Sequence, residues 1–266
     1  MVRAVVTGAC GRMGRIIREV ILESNGISLV GGTETKGHKC IGREISFEEG
    51  EGKKIKIVDE LGKLINSCDV VIDFTSPGAT LSNLEVCKNN KKGIVIGTTG
   101  LNDEQKGIIA SASKSIPIVF SPNMSVGVNL LFSLVRKAAE VLGNEYDIEI
   151  AEAHHRYKKD APSGTALKIA EIIANVLGKD IDKVSVFGRR GIVGERKKGE
   201  IGIHSIRAGD IVGDHIVLFS TPGERVEIIH RAHTRETFAR GAVKAAKFVA
   251  GEKKGLFDMT DILGIK

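Results

Sequence analysis

The sequence predicts an α/β protein: a doubly wound parallel sheet of the Rossmann type, joined to a second α+β domain containing a largely antiparallel sheet. Three observations carry this. A short apolar run, Val2 to Thr7, leads into Gly8-Ala9-Cys10-Gly11-Arg12-Met13-Gly14 and then into apolar residues at helical spacing, Ile16, Ile17, Val20 and Ile21. Apolar runs and helical patterns alternate from there to Phe120, as repeated βα units do. Beyond residue 184, four strand-like stretches follow one another, with Gly-Asp and Pro-Gly-Glu turns between them.

The opening strand, glycine loop and helix stand in the order a dinucleotide site requires. Glycines permit a tight turn and close backbone approach, and the helix N-terminus attracts a pyrophosphate. The spacing G-x-x-G-x-x-G is weaker evidence than the commoner G-x-G-x-x-G, and context strengthens it. Leu29 to Thr33 reads as a second strand, and Glu34 follows where a carboxylate would accept hydrogen bonds from an adenosine ribose. Gly37 to Gly52 has no clear period and reads as a loop with one short strand. Val70 to Phe74, Ile94 to Ile96 and Ile116 to Phe120 are further buried strands, with helices at Thr80 to Asn89 and Asp103 to Ser113. Ligands bind such sheets beyond the strand C-termini. That places Asp73-Phe74-Thr75-Ser76-Pro77, Gly97-Thr98-Thr99-Gly100 and Ser121-Pro122-Asn123-Met124 on one rim with the glycine loop.

Val128 to Leu142 is a long helix leading away from this sheet. Asp147 to Ala151 alternates as a strand, and Ala166 to Leu177 repeats its apolar residues as a helix. Between them Glu152 to Ala166, EAHHRYKKDAPSGTA, is a basic strand-to-helix loop. Ser163 or Thr165 is the expected N-cap, and the open amides after Pro162 suit a carboxylate or phosphate. Histidine is the side chain type whose protonation can most readily change at neutral pH, which makes His154 and His155 candidates for a proton step, while Arg156 and Lys158 can hold a negative charge. Adjacent histidines in extended backbone face opposite sides, so the two should differ in role. Val184 to Phe187, Gly202 to Ala208, His215 to Thr221 and Arg225 to Arg231 are the later strands. Thr237 to Ala250 is an amphipathic helix expected to return to the first domain. The division is thus residues 1–124 completed by 235–266, and residues 125–234.

Composition excludes other classes. The net charge of +6 is spread along the chain, with 16 Lys+Arg against 14 Asp+Glu in residues 1–125, 16 against 15 in 126–234 and 7 against 4 in 235–266. With aromatic content of only 4%, few side chains could stack on bases, so no nucleic-acid partner is expected. No apolar run reaches a membrane span and the N-terminus begins directly on a strand pattern, so a cytoplasmic protein with no membrane partner is expected. Cys10, Cys40, Cys68 and Cys87 form no C-x-x-C pair, which predicts reduced, packing cysteines and no metal site. His204, His215, His230 and His233 read as structural.

The stretch HH-x-x-K-x-DAPSGTA resembles the signature of the 4-hydroxy-tetrahydrodipicolinate reductase (dihydrodipicolinate reductase) family. G-x-x-G-R-M-G, IHSIRAGDIVGDH and TFARGAVKAA resemble it too, so the likeness runs from Gly8 to Ala246. It implies reduction of a small cyclic dicarboxylate by NADH or NADPH in lysine biosynthesis, and a homotetramer built on the strands of residues 184–231. By resemblance, His154 and Lys158 serve the proton step, and His155, Ser163, Gly164 and Thr165 contact substrate. The cofactor would be held by Gly8, Ala9, Cys10, Gly11, Arg12, Met13 and Glu34, with Gly97, Thr98, Thr99, Ser121, Pro122, Asn123 and Met124 lining the nicotinamide half. Some members carry an arginine directly after the glutamate to hold the 2′-phosphate of NADPH. Here that position is Thr35, and Lys36 is the nearest cation. Two rivals share the glycine loop: another dehydrogenase of similar domain plan, and a non-catalytic NAD(P)-sensing protein. Neither requires the histidine-lysine loop.

Overall fold

The computed structural model describes residues 1–45 and 54–265, in two compact units: Met1–Val126 with Arg235–Lys266, and Gly127–Thr234. Most of the tail of the Gly37–Gly52 loop expectation lies outside the described residues.

The first unit is built on strands β1 (Val2–Thr7), β2 (Ile27–Thr33), β3 (Glu44–Ile45), β4 (Ile55–Val58), β5 (Val70–Asp73), β6 (Gly93–Ile96) and β7 (Pro117–Phe120), with β13 (Gly255–Phe257) added near the C-terminus. Their order is β13-β7-β6-β5-β1-β2-β4-β3, parallel except for the antiparallel β3–β4 pair. β5, β6 and β7 are buried almost end to end, as strands covered on both faces must be. Helix α1 (Arg12–Glu23) buries Gly14, Ile17, Val20 and Ile21, one stripe at helical spacing. Facing it in the same core is α7 (Glu236–Val249), whose Ala239, Ala242, Ala245 and Ala246 let two helices lie close. Each fully buried Ile or Val in this core contributes about 1.5–3 kcal/mol. Helices α2 (Pro77–Asn89) and α3 (Asp103–Ala112) bear on the second core cluster with Leu84 and Ile109.

Strands β4 and β13 are additions to the predicted sheet. β4 has the alternation of a half-buried strand, Ile55 and Ile57 in and Lys56 out, but over only four residues. β13 has three, and is recognisable only by its pairing with β7.

The second unit begins with helix α4 (Val126–Leu142), whose Leu131, Val135 and Ala139 join its core. Strands β8 (Asp147–His154), β9 (Ser185–Phe187), β10 (Ile201–Arg207), β11 (Gly213–Thr221) and β12 (Glu224–Ala232) form a sheet in the order β12-β11-β8-β10-β9. Helix α5 (Gly164–Val176) packs against it, followed by the short α6 (Ile181–Val184). The sheet is mixed rather than largely antiparallel: β11 pairs antiparallel with β8 and β12, while β10 pairs parallel with β8 and β9. The short turn from β10 to β11 does not make a hairpin, because β8 lies between them and takes one on each side. The strand expected over Asp147–Ala151 runs on through His154, so Glu152 and His154, expected in the loop, lie on the central strand of the sheet. Among the described residues no helix is long and apolar enough to cross a membrane.

Candidate active site

In the second unit a cluster of polar residues forms where one face of the sheet changes from apolar to polar. Along β8 the residues of that face are Ile148, Ile150, Glu152 and His154, all buried. On β11 they are Phe219, Val217, His215 and Gly213, and on β10 Ile201, Ile203, Ser205 and Arg207. The apolar members pack beneath α5. The polar members gather at the end of the sheet where α5 begins.

Glu152 is the hub. It is 1% exposed. Arg207 donates to both its oxygens at 2.8 Å, the Ser163 amide donates at 3.1 Å, and His154 Nδ1 lies 2.6 Å from Oε2. Burial pushes this carboxyl up, but the bonds from Arg207, His154 and Ser205 together outweigh it and pull it down to about 2. An ionised Glu152 fixes the His154 tautomer: Nδ1 carries the hydrogen, and Nε2 is the nitrogen free to exchange a proton. Burial lowers the His154 pKa and Glu152 opposes that, with the charge of Lys158 lowering it further. The pocket is tight around Nε2, since a Cβ on Gly213 would lie 3.2 Å from it. His215 stands edge-on to His154 with ring centroids 5.3 Å apart, and its Nε2 is 3.1 Å from Ser163 Oγ. Burial drives its pKa to about 3, so it stays neutral.

Ser163 is the N-cap of α5, accepting from the Ala166 amide at 3.2 Å. It is buried, and its hydroxyl also lies 3.1 Å from His215 Nε2. Gly164, by contrast, borders open space, and with Thr165 opens the first turn of α5. Lys158 donates to both oxygens of Asp160 at 2.8–2.9 Å, and Arg207 donates to the Asp160 carbonyl at 2.6 Å. His155, just past the end of β8, lies against Tyr157 with ring centroids 6.3 Å apart. It is separated in environment from His154, as alternation requires.

Glu152, Arg207 and His215 were not among the predicted site residues. Glu152 and His154 are two apart on a strand and so share a face, a signal present in the sequence. Arg207 and His215 come from strands some 50–60 residues downstream in the chain, and only the pairing of β10 and β11 with β8 brings them in. His215 is thus corrected from a structural histidine to a neighbour of His154.

A cleft of about 580 Å³ in this unit, bordered by Ala161, Pro162, Arg189 and His204, touches the loop without reaching His154, Lys158 or Gly164.

In the first unit the candidate dinucleotide residues lie on the rim of the sheet. Gly8 has φ +62°, a left-handed conformation that glycine adopts without strain, and Gly11 donates back to its carbonyl at 2.9 Å. Gly14 presses the helix onto this turn, for a Cβ there would stand 2.1 Å from the Gly8 oxygen. Met13 packs partly on the core, and Arg12 is exposed. The N-cap of α1, Gly11, makes no side-chain cap, and the first turn holds no acidic residue. Helix α3 is the contrast: Asn102 and Gln105 close its start with a capping box, and Asp103 and Glu104 occupy its first turn. Of the two, α1 is the one left fit for an anion.

Glu34 accepts from the Cys10 amide at 2.6 Å, and the Ala9 amide donates to Thr33 at 3.0 Å. A cleft of about 510 Å³ is bordered by Gly8, Gly11, Glu34, Thr35, Asp59 and Thr75. Loop, uncapped helix start, carboxylate and cleft together fit a dinucleotide. Lys36 is exposed in the turn beyond Glu34, close enough to Asp59 to help lower its pKa after Lys63 and backbone bonding.

Thr98 is buried and accepts from the Thr75 amide at 3.1 Å, while Thr80 Oγ1 lies 2.8 Å from it and Asn83 donates to Asp73 at 3.1 Å. This network, of which Thr98 alone was a predicted cofactor residue, ties the ends of β5 and β6 together. Gly97 and Thr99 flank Thr98, the latter exposed. Ser121 Oγ donates to the Asn123 carbonyl at 2.7 Å, Asn123 Oδ1 accepts from the Ser125 amide, Pro122 is exposed and Met124 is buried.

The cysteines are unbonded. Cys68 and Cys87 pack in the core as expected. Cys10 and Cys40 do not stay apart; the fold brings them together with His38.

Comparison with known proteins finds relatives of both units. Residues 2–124 match the family of the dihydrodipicolinate reductase N-terminus, and residues 127–263 that of its C-terminus. A 4-hydroxy-tetrahydrodipicolinate reductase of Geotalea uraniireducens (strain Rf4) is 51% identical over 267 residues, covering 100% of both chains. One from Hahella chejuensis (strain KCTC 2396) is 49% identical with the same coverage. A dipicolinate-bound dihydrodipicolinate reductase from Paenisporosarcina sp. TG-14 aligns at TM-score 0.77 and 26% identity over 98% of each chain. A probable dehydrogenase from Thermotoga maritima shares the fold alone, at TM-score 0.60 and 13% identity, covering 99% of this chain and 93% of its own. The chain belongs to the dihydrodipicolinate reductase family.

Proposed function

We propose that the protein reduces 4-hydroxy-tetrahydrodipicolinate, with loss of water, to tetrahydrodipicolinate on the diaminopimelate route to lysine, using NADH or NADPH. The observation that carries this reading is the cluster at the end of the second sheet: a buried Glu152 orienting His154 beside the Ser163-capped start of α5 and Lys158. When bound, the nicotinamide supplies the hydride. The chain supplies the rest. The Gly164 amide, which borders open space, and the Lys158 ammonium offer charge-assisted bonds to carboxylates, and the family resemblance adds Thr165 as a substrate contact. His154 Nε2 and Lys158 Nζ are the groups that can deliver a proton to the reduced carbon framework. His155 and Arg156 add positive potential along the same loop. A non-catalytic NAD(P) sensor would need none of this second cluster.

Pyridine-2,6-dicarboxylate, flat and carrying both carboxylates, is expected to compete with substrate, and pyridine-2-carboxylate to be much weaker. Steady-state inhibition with each compound tests it, and equal potency would remove the two-carboxylate reading.

Both cofactors are expected to work. Glu34 suits the ribose hydroxyls of NADH, and Lys36 offsets its repulsion of the NADPH 2′-phosphate. Lys36→Ala should raise KM for NADPH alone, whereas Glu34→Ala should impair NADH and spare NADPH. An equal change in both constants for Lys36→Ala would place the phosphate elsewhere.

A homotetramer formed through the second sheet is proposed as the working assembly. On β12, Val226 and Ile229 are 40% and 43% exposed, and this edge strand would gain most from being covered. Light scattering at assay concentration should give four times the chain mass of 28.5 kDa. A monomeric mass would contradict it.

A further inference from the structure

Cys10 lies in the glycine loop after β1, and His38 and Cys40 lie in the turn after β2. One ligand atom from each falls within 4.8 Å of the others. Cys10 is buried, while His38 and Cys40 are half-buried. The turn that carries the last two is braced: the His38 amide donates to Thr35 at 2.9 Å, Ile41 to His38 at 3.0 Å, and Gly42 to Ile57 at 3.0 Å. In the metal-free protein His38 Nδ1 accepts from the Cys40 amide at 3.2 Å, and ligation by the imidazole replaces this bond, either at Nδ1 itself or at Nε2 with the ring hydrogen moved to Nδ1. On the other side the Cys10 amide is fixed by Glu34. The donors are therefore held by two elements that pack on each other, rather than by one flexible tail.

From this we infer that Cys10, His38 and Cys40 bind one thiophilic divalent metal ion of the Zn²⁺ class. Two thiolates and one imidazole are the donor set such ions prefer over Mg²⁺ or Ca²⁺, which take oxygen. In a tetrahedral site with metal–sulfur bonds near 2.3 Å the donor atoms stand about 3.8 Å apart. Closing the observed cluster onto an ion thus needs a movement of roughly 1 Å or less in the half-exposed turn. Each thiol gives its proton to solvent as its sulfur takes the metal, and the fourth position is left for water. Neither Cys68 nor Cys87 joins the cluster. A disulfide between Cys10 and Cys40 would use two of the donors and leave the imidazole without a part.

Occupancy ties the glycine loop to the turn that carries Lys36. The site itself needs only the three donors and stands whether or not the cofactor reading does.

The test uses the full-length, tag-free protein, reduced and freed of metal, titrated with Co²⁺ and then Zn²⁺. One equivalent of Co²⁺ is expected to give a thiolate-to-cobalt charge-transfer band that Zn²⁺ abolishes, and Zn²⁺ but not Mg²⁺ should raise Tm. Cys40→Ser should cut the band by about half, and both Cys40→Ser and His38→Ala should weaken Zn²⁺ binding roughly 100-fold or more. These positions are half-exposed, so both variants are expected to fold, and Cys87→Ala serves as the control that keeps the band. The inference is overturned if no charge-transfer band forms, if the band survives unchanged in Cys40→Ser, or if the two thiols oxidise to a disulfide in air and bind no metal when reduced. NADH titration of the metal-free protein reports on the cofactor reading separately.

Discussion

His154→Ala is expected to lower kcat by roughly 10²–10⁴, the usual loss when a general acid is removed. NADH affinity should remain near that of the unaltered protein, because every residue that fixes His154 lies in the second unit while the glycine loop and Glu34 lie in the first. Lys158→Ala should cost a similar factor and should also raise KM, since an ammonium that holds a carboxylate and supports a proton step serves both terms. The pH dependence separates the two. Burial lowers the His154 pKa below 6.5, so a rate that depends on protonated His154 falls as pH rises through that lowered value. In His154→Ala this limb should vanish, and in Lys158→Ala it should move up, because the lysine's charge helps to depress it. Wild-type turnover in both variants, or an unchanged profile in His154→Ala, would remove the assignment.

Much of the site was legible because local chemistry announces itself. Gly8 to Gly14 between a strand and a helix, Glu34 after the next strand and Ser163 as a helix cap are local patterns, and a pattern of this kind needs no knowledge of tertiary contacts. What was not legible depends on which strands meet. Short turns suggested that β10 and β11 pair, yet β8 separates them, and that insertion carries Arg207 to one side of Glu152 and His215 to the other. The same limit applies to Cys10 and Cys40. Thirty residues apart with no C-x-x-C spacing, they read as unrelated; the parallel pairing of β1 with β2 sets the ends of both strands side by side and brings the cysteines with them. β4 and β13 failed for a simpler reason, since four and three residues are too few for a period to declare itself.

Glu152 offers the second large effect, and it acts on stability and rate together. Glu152→Ala leaves the Arg207 guanidinium without its bidentate partner, the Ser163 amide without an acceptor and His154 Nδ1 without its anchor. Breaking one side of a buried ion pair costs about 3–5 kcal/mol. The pH dependence has a definite sign. The folded-state pKa, about 2, lies below the ordinary 4.5, so the stabilisation is complete above pH 4.5 and is lost as pH falls through 2. At about 1.4 kcal/mol per unit, this amounts to roughly 3 kcal/mol. Urea unfolding of the unaltered protein and of Glu152→Gln should therefore differ most near neutrality and converge toward pH 2. Catalysis should respond through His154. Glu152 raises the histidine's pKa against burial, so its removal lowers that pKa further and shifts the His154 limb of the pH–rate profile to lower pH. Glu152→Asp, which keeps the charge, should restore part of both the stability and the profile, and Glu152→Gln neither. A purely structural glutamate would leave the limb in place in whatever fraction of Glu152→Gln remains folded. That outcome would confine Glu152 to holding the sheet together and leave the orientation of His154 to Gly213 and His215.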